Sequence, residues 1–393
     1  MQAKTGEAGA VYRHVDVITA QESKRGADVC GDCVIQEKTG EAATIAVFDG
    51  IGSGIKANIA AHLNASRMMN MIKGGFSLRE TVEKIAASMH AAREENIPFA
   101  AFAVARVLND GHATVLTYEM PAPVFIRQGR AHSAQQRFFI MGGEVVAESH
   151  FRLDDGCAIL MFSDGVTQAG MGSSGIYPAG WGQKEVESSL NSMLKEGVKY
   201  EEIPRMLTAS AKKISGGVCG DDTTVVMAVS RPGRTVNIMT GPPSDKSMDF
   251  RMAHDFVEAQ GIKMVCGSTT ADILSRETGI PVKGGRQAGG YINPPRYYMR
   301  GIDIVTEGAF SLNQLCNILD YEKEKYDRDS CVSEMAILIK AVDRVVIWLG
   351  RAENPGYQPI VFPQLGLFPR ARVIPLIEEK LRKMGKLVMR REY

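Results

Sequence analysis

No stretch of this sequence stays apolar for the roughly 20 residues that a bilayer-spanning helix needs, and its first ten residues, MQAKTGEAGA, lack the apolar centre of an export signal. A cytoplasmic location is the expectation. Net charge is nearly absent as well, 46 Lys and Arg against 45 Asp and Glu. No overall field therefore draws the chain towards nucleic acid or anionic lipid, and neither is expected as a partner. A disulfide framework is also missing. The 7 cysteines are odd in number and irregularly spaced, and without an export signal they read as free thiols. Cys30 and Cys33 form a Cys-x-x-Cys pair, but no second pair or spaced histidines accompany it for zinc. It does not open a helix after a strand, as a redox motif would. Small buried residues beside a loop are the plainer account; a redox effect on the neighbouring acids Asp32 and Asp221 is the sharper alternative. Repeats and low-complexity tracts are absent too.

What is present is a chain of 393 residues, which at roughly 150 residues per domain predicts two or three domains. Residues 1–10 read as a flexible leader and residues 11–230 as one domain. Strand-like runs occur at 15–18, 43–48, 99–108, 113–119, 124–127, 158–162 and 223–229, with Asn109-Asp110-Gly111 as a hairpin turn. Helical spacing appears over 55–73 (Ile55, Ile59, Leu63, Met69) and 78–95, where Leu78, Val82, Ile85 and Met89 point inward, and again near 184–195 and 201–214. Strands with two pairs of helices predict an α/β/β/α layered sandwich. At Arg231-Pro232-Gly233-Arg234 the pattern changes. Over residues 234–393 strands at 236–239, 263–266, 302–306, 345–349 and 387–390 alternate with helices near 246–260, 270–278, 311–320, 331–341 and 371–384. That alternation predicts a second α/β domain with a mostly parallel sheet.

Four short motifs place an aspartate at a strand end or in a glycine-bearing turn: Gly31-Asp32, Val47-Phe48-Asp49-Gly50, Ser163-Asp164-Gly165 and Gly220-Asp221-Asp222-Thr223. Any one of them is an ordinary turn, because Asp and Gly dominate turns for local reasons. Repetition at strand ends is what points further. If the strands pair, their carboxylates converge, and converging carboxylates repel unless protons or divalent cations neutralise them. Oxygen-only donors favour Mg²⁺ or Mn²⁺ over Zn²⁺, and two such ions suit hydrolysis of a phosphate ester without a nucleophilic side chain.

In this order, Gly31-Asp32, VFDGIGSG over 47–54 leading into a helix, Ser163-Asp164-Gly165 and DDTTVV over 221–226 resemble the metal-dependent protein phosphatases. The likeness is to the branch named after stage II sporulation protein E, and it covers about residues 11–230. The resemblance implies a protein serine/threonine phosphatase acting in bacterial signalling on a phosphorylated protein, with two Mn²⁺ or Mg²⁺ ions. Asp49 would bridge both ions, the Gly50 carbonyl would bind one, and Asp164 and Asp221 would complete the other site. Asp32 and Asp222 would be outer or conditional ligands. It further implies that a partner, or a second subunit in a homodimer, docking on the helices after Gly54 would move Gly50. Two departures stand out: Ile51 occupies the place of a histidine proposed as general acid in many members, and the phosphate-holding arginine has no clear counterpart. Lys24 and Arg25 are candidates for that role, a solvated basic turn being the plain alternative.

The second domain repeats another theme, polar or glycine-rich turns after strands. Ser268, Thr269 and Thr270 at a helix start, with Glu307 and Asn354, are candidates for a ligand loop, since the carboxyl ends of parallel strands line ligand crevices. Ser and Thr are also ordinary helix caps. No dinucleotide or Walker spacing is present. The expectation is a domain that senses a small molecule or partner and biases the phosphatase. Two rivals remain open: a phosphatase fold that only docks a partner, and a small-molecule kinase or transferase in the second domain.

Overall fold

The computed structural model describes residues 12–26, 29–52, 54–95, 97–172, 175–284, 294–327, 329–352 and 367–393. The leader over 1–10, Ser53 of the glycine-rich turn and Asn354 of the candidate ligand loop lie outside them. The chain divides into two compact units, Met1–Pro232 and Gly233–Tyr393.

The first unit is built on two antiparallel sheets. One sheet runs β1 (Arg13–Glu22), β11 (Thr223–Pro232), β10 (Ala158–Phe162), β6 (Val124–Arg127), β7 (Arg130–Ser133). The other runs β2 (Asp32–Lys38), β3 (Ala42–Gly50), β4 (Ala100–Leu108), β5 (His112–Tyr118), β9 (Glu144–Arg152), β8 (Arg137–Met141). Strand side chains alternate between faces, and here the alternation sorts them into three apolar layers. Ala46 and Phe48 of β3 pack outward with helices α1 (Ile55–Lys73) and α2 (Leu78–Glu94). Ile45 and Val47 point between the sheets, against Ile159 and Met161 of β10 and Val226 and Ala228 of β11. Leu160, Phe162, Val225 and Met227 face the opposite way, onto α4 (Gln183–Lys195) and α5 (Ile203–Ile214). The result is the expected α/β/β/α sandwich. Strands β2, β8 and β9 had no distinct apolar alternation in the sequence, and the pairing of β2 with β3 and of β8 with β9 adds them.

Helix α1 departs from the apolar pattern of its sequence. Ile55, Ile59 and Leu63 are 69%, 57% and 66% exposed, while Ala57, Ala60, Ala61, Ala65, Met68 and Met69 are buried. The reason is distance. A Cβ at Gly50 would stand 2.0 Å from the Ala57 carbonyl oxygen, so the helix lies too close to β3 for anything but small residues along its first turns. Helix α2 begins as its sequence indicates, with Ser77 Oγ accepting the Glu80 N–H at 3.2 Å and Glu80 Oε2 accepting the Ser77 N–H at 2.9 Å, a reciprocal capping box.

The second unit has a six-stranded sheet in the order β14 (Arg296–Met299), β15 (Ile302–Thr306), β13 (Ile262–Cys266), β12 (Thr235–Thr240), β16 (Arg344–Leu349), β17 (Leu387–Glu392). Only the β14 edge pairs antiparallel; the rest is parallel. The sheet is covered by α6 (Asp249–Glu258), α7 (Ser268–Thr278), α8 (Ala309–Ile318), α9 (Cys331–Ala341) and α10 (Arg370–Lys383). Among the described residues, no helix is long and apolar enough to cross a membrane.

The close approach of backbones near the strand ends gives a direct test. A Cβ at Gly165 would stand 2.1 Å from the Asp222 carbonyl oxygen, so Gly165→Ala should destabilise the protein by about 1–3 kcal/mol, the usual range for an overpacked site. Urea unfolding measures this, and an unchanged midpoint would contradict the packing described.

Candidate metal centre

The sandwich brings the four aspartate motifs to one end. Asp32 opens β2 and stands directly opposite Asp49 near the end of β3. Both share the strand face of Val34 and Val47, which points between the sheets. In the other sheet β10 and β11 are antiparallel neighbours, so the end of one meets the start of the other. Asp164 follows β10, and Asp221 and Asp222 precede β11. Lys24 follows β1, whose last residue, Glu22, pairs with Thr223 at that same end.

Burial and like charge define the electrostatics. Asp32 is 3% exposed and neither of its oxygens has a hydrogen-bond partner; Asp164 Oδ1 is equally buried and unpartnered. The Thr224 and Ser163 hydroxyls lie near Asp32 and partly offset its burial, but they are shared: Ser163 Oγ also donates to the Asp222 carbonyl at 3.4 Å and accepts the Thr224 N–H at 2.9 Å, and Thr224 Oγ1 accepts from Gln21 at 3.1 Å. Burial, then the charges of Asp32 and Asp164, pushes Asp49 up to about 9. Burial first, with Asp222 and Asp221 adding, raises Asp32 to about 6. Burial and Asp221 raise Asp164. Each of these carboxyls is shifted towards its acid form by the same causes, burial first and neighbouring negative charge second.

Among the described residues no three His, Cys, Asp or Glu side chains already stand close enough to enclose an ion. The donor chemistry nevertheless fits a hard divalent cation: carboxylate oxygens alone, poorly hydrated, several without a close hydrogen-bond partner, and raised towards the neutral form that a cation would reverse.

The remaining sequence candidates occupy distinct places. Asp221 is 48% exposed on its side chain, with Lys24 Nζ 3.5 Å from Oδ1. Lys24 Nζ also donates to the Gly52 carbonyl at 3.3 Å, so its ammonium spans the mouth of the site. The Arg25 N–H donates to the Cys219 carbonyl at 3.1 Å and its side chain is exposed. Asp222 is buried, with both oxygens accepting backbone N–H groups. Cys33 Sγ lies 3.4 Å from His62 Nδ1, and Cys30 is half-buried. In the second unit, Ser268, Thr269 and Thr270 do start α7 at the carboxyl end of β13, and Thr270 Oγ1 accepts the Gly241 N–H at 2.8 Å. Glu307 follows β15 and meets the Tyr297 hydroxyl at 3.5 Å.

Two functional neighbours escaped the sequence. Gln168 Nε2 donates to Asp164 Oδ2 at 2.6 Å, which fixes the carboxylate with Oδ1 facing inward. Its spacing of four residues is a helical one, but the helix there, α3 (Asp164–Thr167), is too short to show a periodicity. Asn58 Nδ2 donates to the Cys30 carbonyl at 2.7 Å, tying α1 to the turn before Asp32.

The first unit is therefore a two-sheet sandwich flanked by helix pairs, with aspartates at one set of strand ends. Residues 39–230, just under half of the chain, match the model of the family described as Stage II sporulation protein E (SpoIIE). Most of the first unit is thus similar to that family. Similar solved structures include the phosphatase domain of SpoIIE from Bacillus subtilis, 17% identical, covering 56% of this chain and 94% of that one, with a TM-score of 0.44. RsbX in complex with magnesium is 18% identical over 58% of this chain and 98% of that one, TM-score 0.41. The RsbU and RsbW domains of a Mycobacterium tuberculosis protein are 16% identical over 63% and 69%, TM-score 0.47. A curated relative, a 3-isopropylmalate dehydrogenase of Oleidesulfovibrio alaskensis, is 30% identical over 122 residues, 28% of this chain and 34% of the relative. The chain thus spans about a third of that enzyme's length, and the match assigns no activity here.

The raised carboxyls yield a pH prediction. Asp49 carries a proton in the folded protein up to about pH 9 but loses it near pH 4 when unfolded. Between those limits the folded state binds more protons, so stability falls as pH rises. The melting temperature of the metal-free protein should drop from about pH 5 to about pH 8.5, and saturating Mn²⁺ should flatten that slope. A melting temperature that rises with pH in metal-free buffer would contradict the site's electrostatics.

Proposed function

We propose that this chain is a protein serine/threonine phosphatase that hydrolyses phosphoserine or phosphothreonine on a partner protein in bacterial signalling. The observation that carries the reading is the placement of Asp32, Asp49 and Asp164 at one end of the sandwich, with both oxygens of the buried Asp32 and Oδ1 of Asp164 lacking a close hydrogen-bond partner. When bound, two Mn²⁺ or Mg²⁺ ions would lower the pKa of a water nucleophile and neutralise the phosphate. Asp49 would hold both ions, the Gly50 carbonyl one of them, and Asp164 through Oδ1 together with Asp221 the other; Asp32 would support them from the interior. Lys24 carries the only ammonium that the described residues place across the mouth, and it would meet the substrate phosphate. Arg25, exposed, would steer substrate at most.

Ile51 leaves this chain without an imidazole beside Gly50. The leaving serine or threonine oxygen would then take its proton from solvent, and the pH–rate profile should lack a limb with an imidazole pKa. Turnover of p-nitrophenyl phosphate and of a phosphoserine peptide in Mn²⁺ tests the whole reading. Asp49→Asn should lower kcat by at least about 100-fold, and Lys24→Ala should raise KM with a smaller effect on kcat. Metal uptake with no turnover of either substrate would instead favour a phosphatase fold that only docks a partner.

The second unit would bind a small effector at the carboxyl ends of its parallel strands. The strand order reverses at β12, where β13 lies on one side and β16 on the other, and such a point opens a crevice in doubly wound sheets. Ser268 and Thr269 are exposed there. If truncation after residue 233 left activity and its response to cell metabolites unchanged, the sensing role would be wrong.

A further inference from the structure

Asp221 and Asp222 are adjacent in sequence and opposite in surroundings. Asp221 reaches the mouth, half-exposed, and its Oδ1 accepts the N–H of Asp222 at 2.9 Å. Asp222 turns inward and is 5% exposed. Its Oδ1 accepts the Lys24 N–H at 2.9 Å and its Oδ2 accepts the Gly31 N–H, also at 2.9 Å. Those two residues lie near the two ends of the turn that joins β1 to β2.

The backbone of Asp222 is engaged on the opposite side. Its carbonyl oxygen accepts from Ser163 Oγ at 3.4 Å and lies so near Gly165 that a Cβ there would stand 2.1 Å away. One residue therefore touches the chain on either side of Asp164, the residue before Asp32, and Asp221 itself. Gly31 bears the imprint of this contact: a Cβ on it would come within 2.8 Å of Asp222 Oδ2. That closeness explains the glycine of the Gly31-Asp32 motif without any demand for a left-handed backbone.

From this geometry we infer that Asp222 is a positioning residue, a clamp that holds the β1–β2 turn against the start of β11, and that it does not itself ligate a cation. The inference rests on the two-ion reading of the site above. Both carboxylate oxygens are occupied by charge-assisted hydrogen bonds to the turn, bonds stronger than those between neutral groups. With the clamp closed, Asp32 is held opposite Asp49 and the Lys24 ammonium is held between Asp221 and Gly52. Losing the clamp would free the turn and so loosen both metal affinity and substrate affinity, while leaving the number of metal donors unchanged.

The test uses the full chain as wild type, Asp222→Ala, Asp222→Asn and Asp221→Asn. Amide hydrogen exchange of the segment from 23 to 32 is followed by mass spectrometry without metal, and Mn²⁺ binding by the paramagnetic resonance of free Mn²⁺. For Asp222→Ala we expect exchange at least about tenfold faster in that segment. Two Mn²⁺ should still bind per chain, at least about tenfold more weakly, with kcat recovering at saturating Mn²⁺ and KM remaining high. Asp222→Asn keeps one acceptor oxygen and should fall between alanine and wild type, a partial rescue that a merely unfolded variant would not show. Loss of one bound Mn²⁺ in Asp222→Ala, as expected for Asp221→Asn, would make Asp222 a ligand and overturn the inference. Unchanged exchange over that segment would overturn it equally. Failure of the wild type to bind Mn²⁺ would sink the two-ion reading instead, and the exchange result would still decide the clamp.

Discussion

The repulsion among carboxylates that share one buried end of a β-sandwich is the constraint on which the rest of this structure turns. Two backbones place Asp32 and Asp49 side by side, facing inward, and two more bring Asp164 and Asp221 to the same end. Among the described residues too few donors reach them: neither Asp32 oxygen has a close partner, with the Thr224 and Ser163 hydroxyls offsetting its burial only in part, and Asp164 has one oxygen without a partner. A fold that needed only stability would replace such groups with apolar residues, since buried unpaired charge is costly. Keeping them makes sense for a site that exchanges protons for cations, and strain of this kind at a functional centre is the ordinary place to find it.

Much of the surrounding architecture serves to hold that end still. Small residues on α1 let the helix sit against Gly50, at the cost of leaving Ile55, Ile59 and Leu63 on the outside. Gln168 turns one Asp164 oxygen inward, Asn58 fastens α1 to the turn before Asp32, and Asp222 fastens that turn to β11. These contacts join elements that are distant in sequence, so the site is stiff only when both sheets are formed. Lys24 stands apart from this frame as the one cation that reaches across the mouth among the described residues.

The sequence disclosed the layering because most strands of both sheets read as apolar or alternating runs and the helices come in pairs. It marked Asp32, Asp49, Asp164 and Asp221 as candidates because each stands beside glycine at a strand end, and the fold brings those strand ends together. It was silent on the edge hairpin β8–β9, where Phe138, Ile140 and Val145 are exposed and the usual correspondence between apolar residues and burial fails. It misrepresented the face of α1 for a related reason: hydrophobic period marks a stripe, but only packing distance decides whether the stripe or the alanines beside it go inward. The differing roles of Asp221 and Asp222 could not be read either, because neighbouring residues at a strand start point to opposite sides and only the partner strands reveal which side holds the site.

The central claim is that Asp49 joins two divalent cations at the end of the sandwich. Crystals of the full chain grown with Mn²⁺, measured for anomalous scattering at the manganese edge, examine it most directly. Two anomalous peaks are expected, both within coordinating distance of the Asp49 carboxylate and one beside the Gly50 carbonyl. Manganese bound elsewhere, or no peak between Asp49 and Asp164 at saturating Mn²⁺, would contradict it.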